Sequence, residues 1–213
     1  MTLETLQPEI EAGVPGCRLE IVPNPSPSAQ HSLLIDAEHA LPIAKFLRDA
    51  PHLRLDYLSN VTGIDWPARE VGEKVKVKKT VDGPDGKPVE QEVEEVQKTL
   101  IPGYLEAVYH LYSMELKHGP VILRMRTEDR DQGVHLPSLN SVWRSADFQE
   151  REIFDLFGIV FDGHPDLRRL LMWEGFEDYP MRRDYVEPDD YEYEPTAHDE
   201  VLRKTLQHHG ETA

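Results

Sequence analysis

Residues 150–171 read EREIFDLFGIVFDGHPDLRRLL, a run of alternating charged and large apolar residues that ends in a turn and a basic segment. On a helix of 3.6 residues per turn, Glu150 falls in the middle of an apolar face. A carboxylate among apolar side chains is costly unless it is paired or hydrogen-bonded. The stretch therefore predicts a buried or interfacial ion pair at Glu150. The apolar face comprises Trp143, Ala146, Ile153, Phe154 and Phe157, and the candidate partners of Glu150 are Arg144, Arg168, Arg182 and Arg183.

The other charged residues of this predicted helix do not form a catalytic pair. Glu150 and Glu152 point about 160° apart on a helix, so they cannot flank one substrate bond. We expect Glu152 to serve a structural or interface role. Arg151 and Asp155 are four residues apart, and the pattern predicts them on the outer face as an exposed pair.

His164 lies in the turn sequence Gly163-His164-Pro165-Asp166. No second His or Cys stands at metal-ligand spacing from it. We therefore predict a histidine that is hydrogen-bonded within the turn rather than a metal ligand.

Two arginine pairs, Arg168-Arg169 and Arg182-Arg183, concentrate positive charge in an acidic chain. One interpretation is a solvated basic face. The other is that these arginines bind acidic groups of this chain or of a partner, which large apolar neighbours favour because apolar residues beside Arg are typical of interfaces. Those neighbours are Leu167, Leu170, Leu171, Met172, Trp173 and Phe176.

Composition excludes several functions. The formal net charge of −17 argues against binding nucleic acid or an anionic lipid surface through a basic patch. A single cysteine, Cys17, cannot form an internal disulfide and cannot supply an iron–sulfur cluster or a Cys-based zinc site. No apolar run approaches the ~20 residues of a membrane-spanning helix, so we expect any membrane association to occur through another subunit.

The element pattern predicts an α+β fold, with one mixed or antiparallel sheet, covering helices and an extended C-terminal segment. We divide the chain into a sheet domain (1–137), a segment with the signature helix and a docking role (138–185), and an acidic tail (186–213). Predicted helices cover 2–11, 37–49 and 139–157, and predicted strands cover 18–22, 32–35, 53–65, 104–114 and 121–127.

An insertion at about 69–100 interrupts the sheet domain and is predicted to contain a hairpin over 73–97, centred on the turn sequence Gly83-Pro84-Asp85-Gly86. It is interpreted as a solvated insertion or, alternatively, as an arm that contacts a neighbouring subunit. The predicted register pairs Val81 with Val89, Val77 with Val93, Lys78 with Glu92 and Lys76 with Glu94.

Four motifs in the order ERE (150–152), DLFG (155–158), HPDLRRL (164–170) and YPMRRDY (179–185) resemble the C subunit of bacterial type-1 NADH:quinone oxidoreductase, respiratory complex I. The resemblance covers residues 138–185 closely. It implies a peripheral-arm subunit without a redox centre or catalytic residue, and FMN and iron–sulfur clusters held by partner subunits. The insertion departs from the family pattern, so nothing functional is transferred to it.

The resemblance further implies docking against the large subunit that shapes the quinone site and near the small subunit that carries the last cluster. It places the chain on the cytoplasmic side of the cell (inner) membrane, as a peripheral protein. Two alternatives stay open: a homologous subunit of a membrane-bound hydrogenase or another quinone-reducing dehydrogenase complex, and a stand-alone carboxylate enzyme.

Overall fold

A computed structural model describes residues 2–82 and 88–186, and for 73–82 and 88–97 it describes the backbone alone. The chain divides into two compact units, Met1–Arg183 and Asp184–Ala213, and all elements below belong to the first. The helices are α1 (Leu3–Gly13), α2 (Ala40–Asp49) and α3 (Ala146–Phe157). The strands are β1 (Leu19–Val22), β2 (Ser32–Ile35), β3 (Tyr57–Trp66), β4 (Arg69–Asp82), β5 (Pro88–Ile101), β6 (Tyr104–Ser113), β7 (His118–Arg126), β8 (His135–Pro137) and β9 (Val160–Asp162).

The central element is a five-stranded sheet in the order β1-β2-β7-β6-β3. Strand β2 runs parallel to β7, whereas the other neighbours are antiparallel, so the sheet is mixed. With three helices in the described residues, the predicted α+β class is confirmed.

One face of the sheet forms the main hydrophobic core with the three helices. Alternation along β6 places Leu105, Ala107, Tyr109 and Leu111 on that face, where all four are buried. The helices contribute apolar residues of their inner faces, among them Leu6, Ile10, Ile43, Leu47, Ile153 and Phe157. The core therefore fixes α3 against the sheet at β3 and β6.

Strands β4 and β5 form a separate two-stranded hairpin. Its register pairs Val81 with Val89, Val77 with Val93, Lys78 with Glu92 and Lys76 with Glu94, so the predicted pairing is confirmed. The predicted turn residues 83–86 lie outside the described residues.

Several predicted boundaries were wrong, and the physical reason is visible for two of them. The strand predicted from residue 53 begins at Tyr57, because Leu53 and Leu55 bury their side chains from a turn in which Arg54 has φ +39°. The helix predicted from residue 139 begins at Ala146. In the preceding turn, the Trp143 indole N–H donates to the Leu55 carbonyl (2.8 Å), and this contact ties the loop to the turn before β3.

Candidate functional site: two buried carboxyl groups on helix α3

Glu150 is fully buried on the inner face of α3, as its position on the apolar stripe predicts. Its carboxyl group accepts hydrogen bonds from the Ser138 hydroxyl (2.5 Å), the Leu139 backbone N–H (2.8 Å) and the Tyr109 hydroxyl (3.2 Å). These donors come from the loop after β8 and from β6. Glu150 therefore joins α3, the sheet and the loop at one point.

Burial of this carboxyl group raises its pKa to about 7, although the three hydrogen bonds act in the opposite direction. The loss of hydration disfavours the charged form, and neutral donors compensate for it only in part. Next to it, burial raises the pKa of the Tyr109 phenol well above its ordinary value, helped by the negative charge of Glu150.

The predicted arginine partner of Glu150 is wrong. Within residues 2–82 and 88–186, no Arg or Lys nitrogen lies within ion-pair distance of Glu150. The arginines proposed for it bind elsewhere or remain at the surface, since Ser138 and Tyr109 already satisfy the carboxyl group. Sequence reasoning found the buried acid and missed its neutral partners.

Asp155, five residues further along α3, is also fully buried, but its partners are different. One carboxylate oxygen, Oδ2, accepts hydrogen bonds from three consecutive backbone N–H groups, at 2.9, 2.6 and 2.9 Å. The other, Oδ1, accepts a charge-assisted bond from Arg169 (2.8 Å). The backbone donors are Leu170, Leu171 and Met172.

Burial alone would raise the pKa of Asp155, yet the N–H groups of residues 170–172 and the Arg169 guanidinium hold that pKa below its ordinary value. The predicted exposed pair of Arg151 with Asp155 is therefore wrong. Both residues are buried, because the segment after the helix folds back over the face that a helical wheel assigns to solvent.

The same returning segment caps the C-terminus of α3. Gly158 adopts the left-handed conformation (φ +80°) and its N–H donates to the Phe154 carbonyl. The next three carbonyls accept from Arg169, from the Met181 N–H and from Arg182. Two guanidinium groups thus lie at the negative end of the helix dipole.

Tyr179 completes this arrangement, since its ring contacts both guanidinium groups, with the Cζ atoms of Arg169 and Arg182 at 5.6 and 4.6 Å from the ring centre. A Cβ atom at Gly158 would meet the Tyr179 ring at 2.5 Å. Glycine is thus required at position 158 for two reasons, the backbone angle and the space occupied by the ring. We call Asp155, Arg169, Tyr179 and Arg182 the α3 lock.

The remaining predicted site residues lie around the α3 lock. The Arg151 guanidinium donates to the carbonyls of Arg168 and Arg169 (3.3 and 3.4 Å). Glu152 is exposed, Arg168 is 70% exposed with Asp166 as its ion-pair partner (3.0 Å), and the Arg183 backbone N–H donates to Asp65 (2.7 Å). His164 is buried in its turn, where Nδ1 accepts from the Asp166 N–H and Nε2 contacts the Asp147 carbonyl (3.1 Å).

Two buried acids, Asp65 on β3 and Glu106 on β6, were missed altogether, and Arg130 binds Asp65 at 2.6 Å. Glu106 on β6 is fully buried on the sheet face opposite the main core, with Arg124 at 2.7 Å and Arg126 at 2.9 Å. The Trp66 indole N–H donates to the same carboxylate (3.0 Å). The signal that could have revealed the Glu106 site is the strand register, which places Glu106 directly opposite Arg126 on the antiparallel neighbour β7.

Large apolar side chains are exposed around the α3 lock. We call Phe148, Leu171, Trp173 and Met181 the apolar rim, and each is at least half exposed. Arginines lie beside it: Arg151 stacks over the Phe148 ring (5.4 Å), and Arg169 over the Phe176 ring (5.5 Å), which Trp173 contacts edge-on.

Among the described residues, no group of three or more His, Cys, Asp or Glu side chains is arranged to hold a metal ion. The described helices include none with the length and apolar character needed to span a bilayer.

Residues 33–192 match the family model described as respiratory-chain NADH dehydrogenase, 30 Kd subunit. The chain belongs to this family, which confirms the resemblance drawn from the four motifs. A relative from Roseiflexus castenholzii, named as the C subunit of NADH-quinone oxidoreductase, is 35% identical over 153 residues, covering 72% of this chain and 68% of the relative. The protein of the same name from Coxiella burnetii is 37% identical over 150 residues, covering 69% of this chain and 63% of the relative.

The chain spans 65% of the length of a relative from Rhizobium meliloti and 47% of one from Saccharopolyspora erythraea, both also named as C subunits of NADH-quinone oxidoreductase. Among solved structures, it is similar to a trypsin-resistant fragment (1–134) of Nqo5, with 26% identity and a TM-score of 0.42, covering 78% of this chain and all of that one.

Proposed function

We propose that this chain is a non-catalytic structural subunit in the hydrophilic arm of proton-translocating NADH:quinone oxidoreductase. In this role it supports electron transfer from NADH, through FMN and iron–sulfur centres of partner subunits, to quinone. It is held at the cytoplasmic side of the inner membrane through its partners, chiefly the large quinone-site subunit and the small cluster-bearing subunit.

The main observation in support of this proposal is the apolar rim, most of which lies on a segment that is tied to the end of α3. Asp155, Arg169 and Arg182 fix residues 169–182 to the end of α3, and the rim side chains Leu171, Trp173 and Met181 belong to that fixed segment. Exposed aromatic and apolar residues beside arginine are typical of interface centres. A preordered surface also loses less conformational entropy on association.

The buried acids support a structural rather than a catalytic role. Glu150 and Asp155 are both fully buried, and each carboxyl group is occupied by hydrogen bonds from this chain. A general acid or base must reach its substrate directly or through one water. We infer that the chain itself holds neither FMN nor a cluster, and that these groups belong to its partners.

Affinity purification of the full chain from native membranes, followed by identification of the associated proteins, tests the proposal. We expect the other peripheral-arm subunits of an NADH:quinone oxidoreductase. Recovery of hydrogenase subunits instead would assign the chain to the alternative class of complex, and recovery of the chain alone would contradict the proposed function.

A matched pair of substitutions tests the apolar rim. Leu171 and Met114 are equally exposed, at 61% and 63%, but Met114 directly follows β6 and lies outside the fixed segment 169–182. We expect Leu171→Asp to reduce the recovered complex at least about tenfold, as at an interface centre, and Met114→Asp to leave it unchanged. Equal yields for both variants would contradict a docking role for the rim.

Elemental analysis and an absorbance spectrum of the purified chain test its proposed lack of a redox group. We expect no stoichiometric iron, zinc or flavin. A flavin or cluster spectrum that persists through purification of the isolated chain would contradict a purely structural subunit.

A further inference from the structure

Strand β3 lies at an edge of the five-stranded sheet, and one stretch of that edge is open. In an antiparallel ladder, the N–H and C=O groups of alternate residues point away from the partner strand. On β3 the Val61 N–H points away from β6, since it donates to Gln149 of α3, and by alternation Gly63 points the same way; the two residues face Tyr109 and Ala107 of β6. An edge of this kind is a template for pairing with another chain.

The neighbouring edge groups are already occupied by α3 and its N-terminal turn. The Val61 N–H donates to the Gln149 side chain (2.5 Å), and the Leu58 carbonyl accepts from the Ser145 hydroxyl (2.9 Å). By contrast, nothing in the described part of the chain bonds to the outward N–H and C=O of Gly63 or to the C=O of Val61. The open stretch of the β3 edge is therefore short, because the bonded groups at Leu58 and Val61 limit it.

A groove of about 220 Å³ runs along this opening between β3 and α3. Residues 60–63 form one wall, and Glu152, Leu156 and Met181 belong to the other. The Phe157 ring packs so closely on Gly63 that an added Cβ atom would meet it at 2.6 Å. Glycine at position 63 lets the helix approach the strand closely while the strand edge stays half-exposed.

We propose that an extended segment, which belongs to a partner subunit and bears a basic side chain, adds to β3 at Val61 and Gly63 and places its charge beside Glu152. This inference rests on the proposed function, since it names how one partner binds. Main-chain bonds to Gly63 would supply affinity, and the wall residues Leu156, Met181 and Glu152 would select the side chains of the segment.

Charge favours this occupant over a second copy of the chain. Glu152 is exposed and has no ion-pair partner among the described residues. A second copy that paired through the same edge would bring an identical Glu152 to the groove in a chain of net charge −17, and like charges in contact are unfavourable. A Lys or Arg of another subunit instead completes the site.

Amide hydrogen exchange, measured in the isolated full chain and in the complex purified from native membranes, tests the proposal. We expect the Gly63 amide to exchange at least about tenfold more slowly in the complex, the factor that one net hydrogen bond supplies. The Thr62 amide is the control, because it already pairs with β6 and should change little. A Gly63 amide that exchanges equally fast in an intact complex overturns strand addition and leaves the proposed function standing.

A charge reversal separates the groove from the rest of the surface. We expect Glu152→Lys to weaken association about two- to fivefold, as for other exposed ion pairs. The control Glu20→Lys, on the opposite edge strand β1, should leave association unchanged. An unaltered yield with Glu152→Lys, together with an unprotected Gly63 amide, would exclude the site.

Discussion

Glu150 and Asp155 are two carboxyl groups on one helix, both fully buried and only five residues apart, yet their surroundings give them opposite properties. Three neutral donors surround Glu150, and burial raises its pKa to about 7. A guanidinium and three backbone N–H groups surround Asp155, and they hold its pKa below the ordinary value against the same loss of hydration. Both carboxyl groups lose hydration on burial, and the number and charge of their hydrogen-bond donors decide whether the carboxylate stays ionised: Asp155 has four donors, one of them cationic, and Glu150 has three neutral ones.

The two groups also depend on pH in opposite ways. Asp155 contributes stability above its ordinary pKa, and that contribution is lost as the pH falls through its lowered folded value. Glu150 keeps its proton in the folded state at pH values where the unfolded chain has lost it. Its contribution therefore favours folding at low pH and declines as the pH rises towards 7.

Removing the Asp155 carboxylate should give the largest effect. Asp155→Ala leaves Arg169 and three N–H groups without their acceptor, so we expect the free energy of unfolding to fall by about 3–5 kcal/mol. Urea unfolding of the full chain at pH 7 measures it. The control Glu152→Ala, an exposed acid of the same helix, should change stability by less than about 0.5 kcal/mol. Equal losses for the two variants would contradict the α3 lock.

The next largest effect is expected in the pH dependence of stability that Glu150 causes. Between pH 4.5, its ordinary pKa, and the raised value of about 7, we expect its contribution to the free energy of unfolding to decrease by roughly 3 kcal/mol. Burial lowers the pKa of His110 and gives an opposite slope. The stability difference between the unmodified chain and Glu150→Gln therefore isolates Glu150. A difference that does not change with pH would show that the carboxyl group is not held in its buried position.

Removing one of the neutral hydrogen-bond donors to Glu150 tests the comparison with Asp155 further. Ser138→Ala takes the 2.5 Å hydrogen bond away from Glu150, so we expect a loss of about 1–2 kcal/mol at pH 8. The loss should shrink at pH 5, where the carboxyl group is protonated, because this hydrogen bond lowers the pKa of Glu150. Stability curves of the two chains at both pH values provide the measurement. A larger loss of stability at pH 5 than at pH 8 would contradict a hydrogen bond from Ser138 to the charged form of Glu150.

The smallest effect is expected at Arg168, although it is adjacent to Arg169, whose side chain is only 14% exposed. Arg168 is 70% exposed, and its ion-pair partner Asp166 is itself half exposed. Arg168→Ala should therefore change the free energy of unfolding by less than about 0.5 kcal/mol. Arg169→Ala, measured by urea unfolding beside it, should cost several times more. Similar values for the two would contradict their different burial.

The sequence predicts a large part of this structure because local patterns determine it. Alternation along residues 104–114 and the helix period around Glu150 each give the right element, and the predicted pairs of the hairpin match the register of β4 and β5. Such patterns depend on neighbours in the chain, and these neighbours are visible in the sequence.

The partners of the buried acids were not predictable by the same reasoning. A helical wheel places Asp155 on the solvent side, because it contains no information on residues 169–172 returning over that face. For Glu150 the assumption of an arginine partner failed because its donors come from two segments, Ser138-Leu139 and Tyr109 on β6, that only the fold brings together. The partners of both carboxyl groups are residues outside the helix, and local sequence patterns do not reveal them.

The closure of α3 by residues 169–182 has a consequence for how the protein is made. A ribosome-bound chain that has emerged only as far as residue 168 has the whole helix available but none of the groups that neutralise Asp155 or cover its last three carbonyls. The helix is then completed only after synthesis has passed Arg182. Closure of α3 and placement of the rim residues Leu171, Trp173 and Met181 therefore depend on the same late-synthesised segment, whereas Phe148 is already present on the helix.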